Sequence, residues 1–345
     1  MFTKTLLATG AALISLALSQ GPPTVDIAIT LETPVTGVST STDGRIFLLY
    51  ARVDGSEGPQ IVEYNIDDNS TTAIPDDEWN SFSADKDPST HLPVILPDGP
   101  KLVQFNLTTN EVQRVYPVGN ATRVNSLLDD VRFNPLSNKA YLTDAGSPGI
   151  IVLDLDSGAA VRVLDNDIST RRDFPVSAEG SIVRFDGSPL YVYADHHEVS
   201  PDGEYYYFQP CNGGLSRIAT KWIDQAFYNS SLNTNDLLGA HVEPFALTPS
   251  TAGTAIDAEG NIYLSDTDRL LIEKIAPNGT RTTLVQDDRL LWVDAMWIDA
   301  AGKLWMPAAQ LNRGIPFNNG TNKLELPIHI FTIDIGFGPS LIDHD

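Results

Sequence analysis

The chain has 345 residues, 45 acidic against 22 basic, and a formal net charge of −23. Nucleic acids and anionic membrane surfaces are bound through Lys and Arg that neutralise phosphate, so this charge argues against both as partners. The only cysteine, Cys211, allows no intrachain bridge. Stability must then come from a large apolar core, which the 42% hydrophobic residues can supply.

The N-terminus reads as an export signal over residues 1–19. Lys4 precedes an apolar run from Leu6 to Leu18, then the small-residue site Ala17-Leu18-Ser19 and the helix-hostile Gly21-Pro22-Pro23. The run is too short to span a bilayer and has the three-part layout of a secretory signal peptide. Six Asn-x-Ser/Thr acceptors, at Asn69, Asn106, Asn120, Asn229, Asn278 and Asn319, agree with a secreted, extracellular glycoprotein.

From residue 20 to 345 the chain alternates short β-rich runs with turn signals, and nothing marks a linker. A single all-β domain is expected. The one helical stretch, Lys221 to Leu238, reads as a short helix and loop. A repeated element runs through the rest: an apolar run, a tight polar turn closed by Gly or Asn, and a returning apolar or aromatic run. The turns are Thr42-Asp43-Gly44, Pro97-Asp98-Gly99, Ser137-Asn138, Pro201-Asp202-Gly203, Ala258-Glu259-Gly260 and Ala300-Ala301-Gly302. Gly and Asn reach positive φ at low steric cost, which suits them to close such turns. Outer hairpins accompany several copies, such as Ile150 to Leu155 with Val161 to Leu164. Six copies of a four-stranded sheet predict a six-bladed β-propeller. Val25 to Ile29 is expected to close the ring against Ile328 to Ile333.

Propeller ligands sit where the innermost strands begin. Counting eight residues back from each closing Gly or Asn gives Thr36, His91, Asp130, Asp195, Ala252 and Asp294, and one residue further on lies His196. Closure brings such positions together, so Asp130, Asp195, His196 and Asp294 are the candidate catalytic residues. Crowded carboxyls raise each other's proton affinity and, with an imidazole, can move a proton between two atoms of a substrate. His91, Asp129 and Trp292 are candidate substrate contacts. The same oxygens and nitrogens are also ligands for a hard divalent cation. Strand alternation, however, sends members of Asp195-His196-His197-Glu198 to opposite faces, so no metal or other cofactor is expected.

Several stretches resemble the major royal jelly protein and Yellow family, especially its microbial branch. They include Lys101 to Leu107, Leu128-Asp129-Asp130-Val131, Ala140 to Gly146, Ile151 to Gly158, Ser200 to Gly203, Asp257 to Asp266, Leu291 to Asp294 and Gln310 to Arg313. The resemblance implies a six-bladed propeller. For function it allows a tautomerase of the dopachrome-converting kind, a cyclase acting on a reactive aromatic metabolite, or a non-catalytic binder of small molecules. Departures weigh against the metal-dependent lactonase of the related gluconolactonase type. Ala252 stands where that site takes a ligand from the fifth blade, and Gly37 offers no carboxylate on the first. His196 replaces the usual Gly of the fourth blade. The expected partner is a small molecule, with no assembly state specified.

Overall fold

The computed structural model describes residues 24–52, 58–80, 100–171 and 173–342. Within them the chain is an all-β propeller built of antiparallel meanders. Five sheets have four strands each. The first runs Gly37–Thr40, Ile46–Leu49, Ile61–Tyr64 and Thr71–Ala73. The next runs Leu128–Asn134, Lys139–Asp144, Ile150–Asp154 and Ala160–Val163. The third comprises Ala194–Val199, Tyr205–Pro210, Leu215–Ala219 and Glu243–Ala246, the fourth Thr254–Ile256, Ile262–Asp266, Leu271–Ile275 and Arg281–Gln286. The fifth orders Trp297–Ile298, Lys303–Pro307 and Ile328–Asp334 from the centre outwards and takes its outermost strand, Asp26–Leu31, from the other end of the chain.

The expectation of six blades is corrected to five complete ones among the described residues. The missing copy is represented by a two-stranded sheet, Lys101–Asn106 with Glu111–Pro117. Its proposed turn Pro97-Asp98-Gly99, and His91 with it, lie outside the described residues, as does the expected export signal.

The turn chemistry explains the meanders. Gly44, Gly203, Gly260 and Gly302 close their turns at φ between 71° and 89°, and Asn138 at 52°. An aspartate often braces the turn: Asp257 accepts the Glu259 and Asn261 amides at 2.9 Å each and the Tyr263 hydroxyl at 2.9 Å. The second strands carry the largest core side chains, and Tyr141, Tyr206, Phe208 and Tyr263 are almost fully buried between neighbouring sheets. Lys221 to Leu238 yields the helix Thr220–Tyr228, which packs Ile223 and Ala226 into the apolar cluster around Tyr206. Among the described residues no helix is long and apolar enough to cross a membrane.

Candidate functional site

The starts of the innermost strands meet around one axis. The Ala295 amide donates to the Thr36 carbonyl at 3.0 Å, and Gly37 bridges Ala295 in parallel, joining the first sheet to the last. On the other side Asp294 presses against Gly253. A Cβ at Gly253 would lie 2.1 Å from the Asp294 carbonyl oxygen, so only glycine permits this approach. His196 Nε2 lies 2.8 Å from the Thr251 carbonyl, joining the third complete sheet to the fourth.

Asp195 and His196 are 7% and 3% exposed and sit side by side, with Asp195 Oδ2 at 3.3 Å from His196 Nε2. Strict alternation would have separated them. The pairing of Ala194–Val199 with Tyr205–Pro210 slips between Ala194 and His197, and this bulge turns both side chains towards Cys211. A second bulge, between Leu128 and Val131, spans Asp129 and Asp130. Asp129 is exposed and Asp130 half-buried.

Cys211 belongs to the cluster although its sequence context gave no sign of it. Asp195, His196 and Cys211 each offer one donor atom, all within 4.8 Å of one another. Cys211 Sγ donates to the Thr251 carbonyl at 2.9 Å, the same oxygen that faces His196 Nε2. Among the described residues these three are the set able to approach a cation. In the present arrangement sulfur and imidazole both spend their contact on a neutral carbonyl, which calls for a proton on each rather than a bare lone pair.

Asp294 is held by two donors, the Trp292 indole N–H at 3.0 Å and the Ala295 amide at 3.0 Å. Burial pushes its proton affinity well above the usual carboxylate range, and the charge of Asp195 adds to the push, with Asp130 a smaller contributor. Burial likewise raises Asp195, opposed by the charge of His196. The Cys211 thiol is driven well up by burial and then by Asp195 and Asp294, so it stays protonated. Asp294 therefore lies within electrostatic reach of both Asp195 and Asp130.

His197 and Glu198 do other work. His197 Nδ1 lies 2.7 Å from the Tyr206 hydroxyl, and burial holds the imidazole well below its ordinary range, hence neutral. Glu198 takes both ends of the Arg132 guanidinium, at 2.9 and 3.0 Å, and the Thr254 hydroxyl at 2.7 Å. This ion pair ties together innermost strands of three sheets.

Trp292, expected as a stacking platform, is 6% exposed and adopts φ 53°, a left-handed backbone uncommon for a bulky residue. It is packed with Val176, Val183, Cys211, Ala252 and Ala309. This apolar layer includes two small hairpins, Ser177–Ala178 with Ser181–Ile182 and Arg184–Phe185 with Ser188–Pro189, which the repeat did not foretell. Ala178 of the first and Val183 between the two pack in one layer with Cys211 and Trp292.

Comparison with solved structures agrees with the architecture. A luciferin-regenerating enzyme superposes with a TM-score of 0.56 at 12% identity, over 94% of this chain and 99% of that one. The calcium-binding protein regucalcin from Agrobacterium tumefaciens gives 0.54 at 13%, over 94% and 97%. A gluconolactonase from Xanthomonas campestris gives 0.51 at 11%, over 91% and 96%. Likenesses at such low identity establish the fold alone. No curated protein matches the sequence. The family profile described as major royal jelly protein matches residues 96–331, about two thirds of the chain.

Proposed function

Given that the chain belongs to the major royal jelly protein family, we propose that it is an exported enzyme that isomerises or cyclises a small aromatic or quinoid metabolite at the mouth of its channel. One observation carries this reading. Asp195 and Asp294, distant in sequence, are coupled carboxyls of raised proton affinity beneath an apolar cover, with His196 in contact. Burial without full compensation is the usual mark of a carboxyl kept for acid–base work.

Asp294, the more strongly raised of the two, donates its proton to one substrate atom. His196 accepts a proton from another, its new positive charge steadied by Asp195, and passage of that proton on to the ionised Asp294 restores the starting state. The substrate loses and gains one proton, so no redox partner or cofactor is required. Asp130 polarises the substrate from the adjacent sheet, and exposed Asp129 meets it at the rim. Trp292 serves Asp294 as a hydrogen-bond donor rather than the substrate as a platform.

Asp195→Asn and His196→Ala, assayed on dopachrome-like and cyclisable quinoid substrates, should each lose about 10²- to 10⁴-fold in turnover. Unchanged turnover in both discards the assignment. A carrier without chemistry is the second reading, favoured by the near-complete burial of Asp195 and His196. Ligand recovered unaltered after long incubation with the wild-type protein would support it. Elemental analysis addresses the third: one bound metal per chain, with activity lost to chelator, would restore the lactonase.

Export and glycosylation belong to the same proposal. Asn69, Asn120, Asn229, Asn278 and Asn319 are exposed and Asn106 half-buried. Glycosidase treatment of the protein secreted by a eukaryotic host should lower its mass.

A further inference from the structure

A cleft of about 370 Å³ opens on the outer side of the apolar cover, between the small hairpins and the segment from Asn312 to Glu325. Its size falls within the range of small-molecule sites. Ala178, Val183 and Phe317 line it and also belong to the layer that holds Cys211 and Trp292. The cleft is thus one layer of side chains away from the carboxyl cluster. Ile182 extends the apolar wall, and Phe317 is braced from behind by Phe185 at 5.6 Å between ring centroids.

The charged lining inverts the character of the molecule. Three cations, Arg184, Arg313 and Lys323, face two carboxylates, Glu179 and Glu325, in a chain with twice as many acidic as basic residues. Both carboxylates are clasped by one guanidinium: Arg313 donates to Glu179 at 2.9 and 2.5 Å and to Glu325 at 2.6 Å. That leaves Arg184 and Lys323 as the positive charge outside the Arg313 clasp, with Lys323 within electrostatic reach of Glu179. Arg184 uses one N–H on the Gly187 carbonyl at 3.1 Å, and the Lys323 side chain is exposed.

We propose that this cleft binds a small acid with an aromatic or otherwise apolar body, its carboxylate held by Arg184 and Lys323 and its body against Val183, Ile182 and Phe317. A local excess of positive charge draws an anion that the rest of the surface repels, and apolar walls select a body that water hydrates poorly. The inference rests on the proposed function only in naming the acid as the class from which the substrate is drawn.

Calorimetry with indole-2-carboxylate and with indole isolates the carboxylate, since the two differ in nothing else. The acid should bind about tenfold more tightly at low salt, and the advantage should shrink as salt is raised. Lys323→Ala and Arg184→Ala should each weaken the acid about threefold to tenfold and leave indole unaffected. Equal affinity for the two probes, no binding of the acid, or an acid affinity indifferent to both substitutions would overturn the proposal. The two readings fail separately. Acid binding with turnover intact in Asp195→Asn and His196→Ala removes the acid–base chemistry and keeps the cleft; turnover lost in those variants without acid binding does the reverse.

Discussion

Two sets of aspartates near strand ends in this propeller meet opposite fates. Asp144, at the end of Lys139–Asp144, is fully buried and amply supplied with donors. It accepts the Leu127, Gly146 and Ser147 amides at 3.0, 3.2 and 2.9 Å, the Ser126 hydroxyl at 2.5 Å and Arg162 at 2.8 Å. Asp266, at the same place in its own sheet, takes the Asp268 and Arg269 amides at 3.0 and 2.9 Å and the Arg269 guanidinium at 2.6 Å. Asp294 has two neutral donors and a like charge for company. Burial alone does not decide what a carboxyl does; the donors around it decide. The first set holds corners together, whereas the second is left hungry for a proton.

The contrast can be broken most forcefully on its structural side. Asp144→Ala strips Arg162 of a buried partner and orphans three amides, so urea unfolding should show a loss of about 3–5 kcal/mol. Next comes Gly253→Ala, which forces the Asp294 backbone outward. A loss of about 1–3 kcal/mol is expected, together with impaired turnover from a displaced carboxyl.

The pH dependence sharpens the comparison further. Asp154 is held below the usual carboxylate range, first by the Ser157 amide and hydroxyl and then by Lys139. Its stabilising contribution is complete above the unfolded value of about 4 and is lost as pH falls below it. Asp154→Asn should thus cost about 2 kcal/mol at pH 6, a gap that closes in stronger acid. Asp294 runs the other way. Above about pH 4 its native form binds more protons than the unfolded chain, so wild-type stability falls as pH rises through that window. Asp294→Asn should escape this fall, gaining on wild type from pH 4 towards 7 in parallel urea titrations. A variant that lost ground over that interval would show Asp294 to be another structural carboxylate.

The smallest effect belongs to Trp292→Phe, which keeps most of the packing and removes the indole N–H. That donor favours the ionised carboxyl, so its loss should move the Asp294-governed limb of the activity profile to higher pH by a fraction of a unit, at about 1 kcal/mol in stability.

Much of the ring was legible in the sequence because turns closed by positive-φ Gly or Asn leave a local chemical record. The same counting brought Asp130, Asp195, His196 and Asp294 to one place, since equivalent corners converge whatever the intervening residues. What escaped has non-local causes. The bulge beside Ala194 overrides alternation, and no residue type there announces it. Cys211 follows directly on the second strand of the same sheet, where its neighbours read as ordinary core. Trp292 looked like a platform because indoles often are; only packing from four other segments turned its face inward and its N–H to a carboxylate. The hairpins over the site follow no repeat, so periodicity was blind to them.

The outermost strand of the last sheet, Asp26–Leu31, adds to Ile328–Asp334, some 300 residues later. During synthesis from the N-terminus that first strand emerges with nothing to pair with and must wait until nearly the whole polypeptide has followed it. Until then the first strand carries unpaired backbone edges and the end sheets of the open ring show apolar faces, both of the sort that invites association with other chains. Assembly of the circle is therefore a single late event. Until it happens Asp195 and Asp294 are not neighbours, so the carboxyl pair exists only in finished molecules.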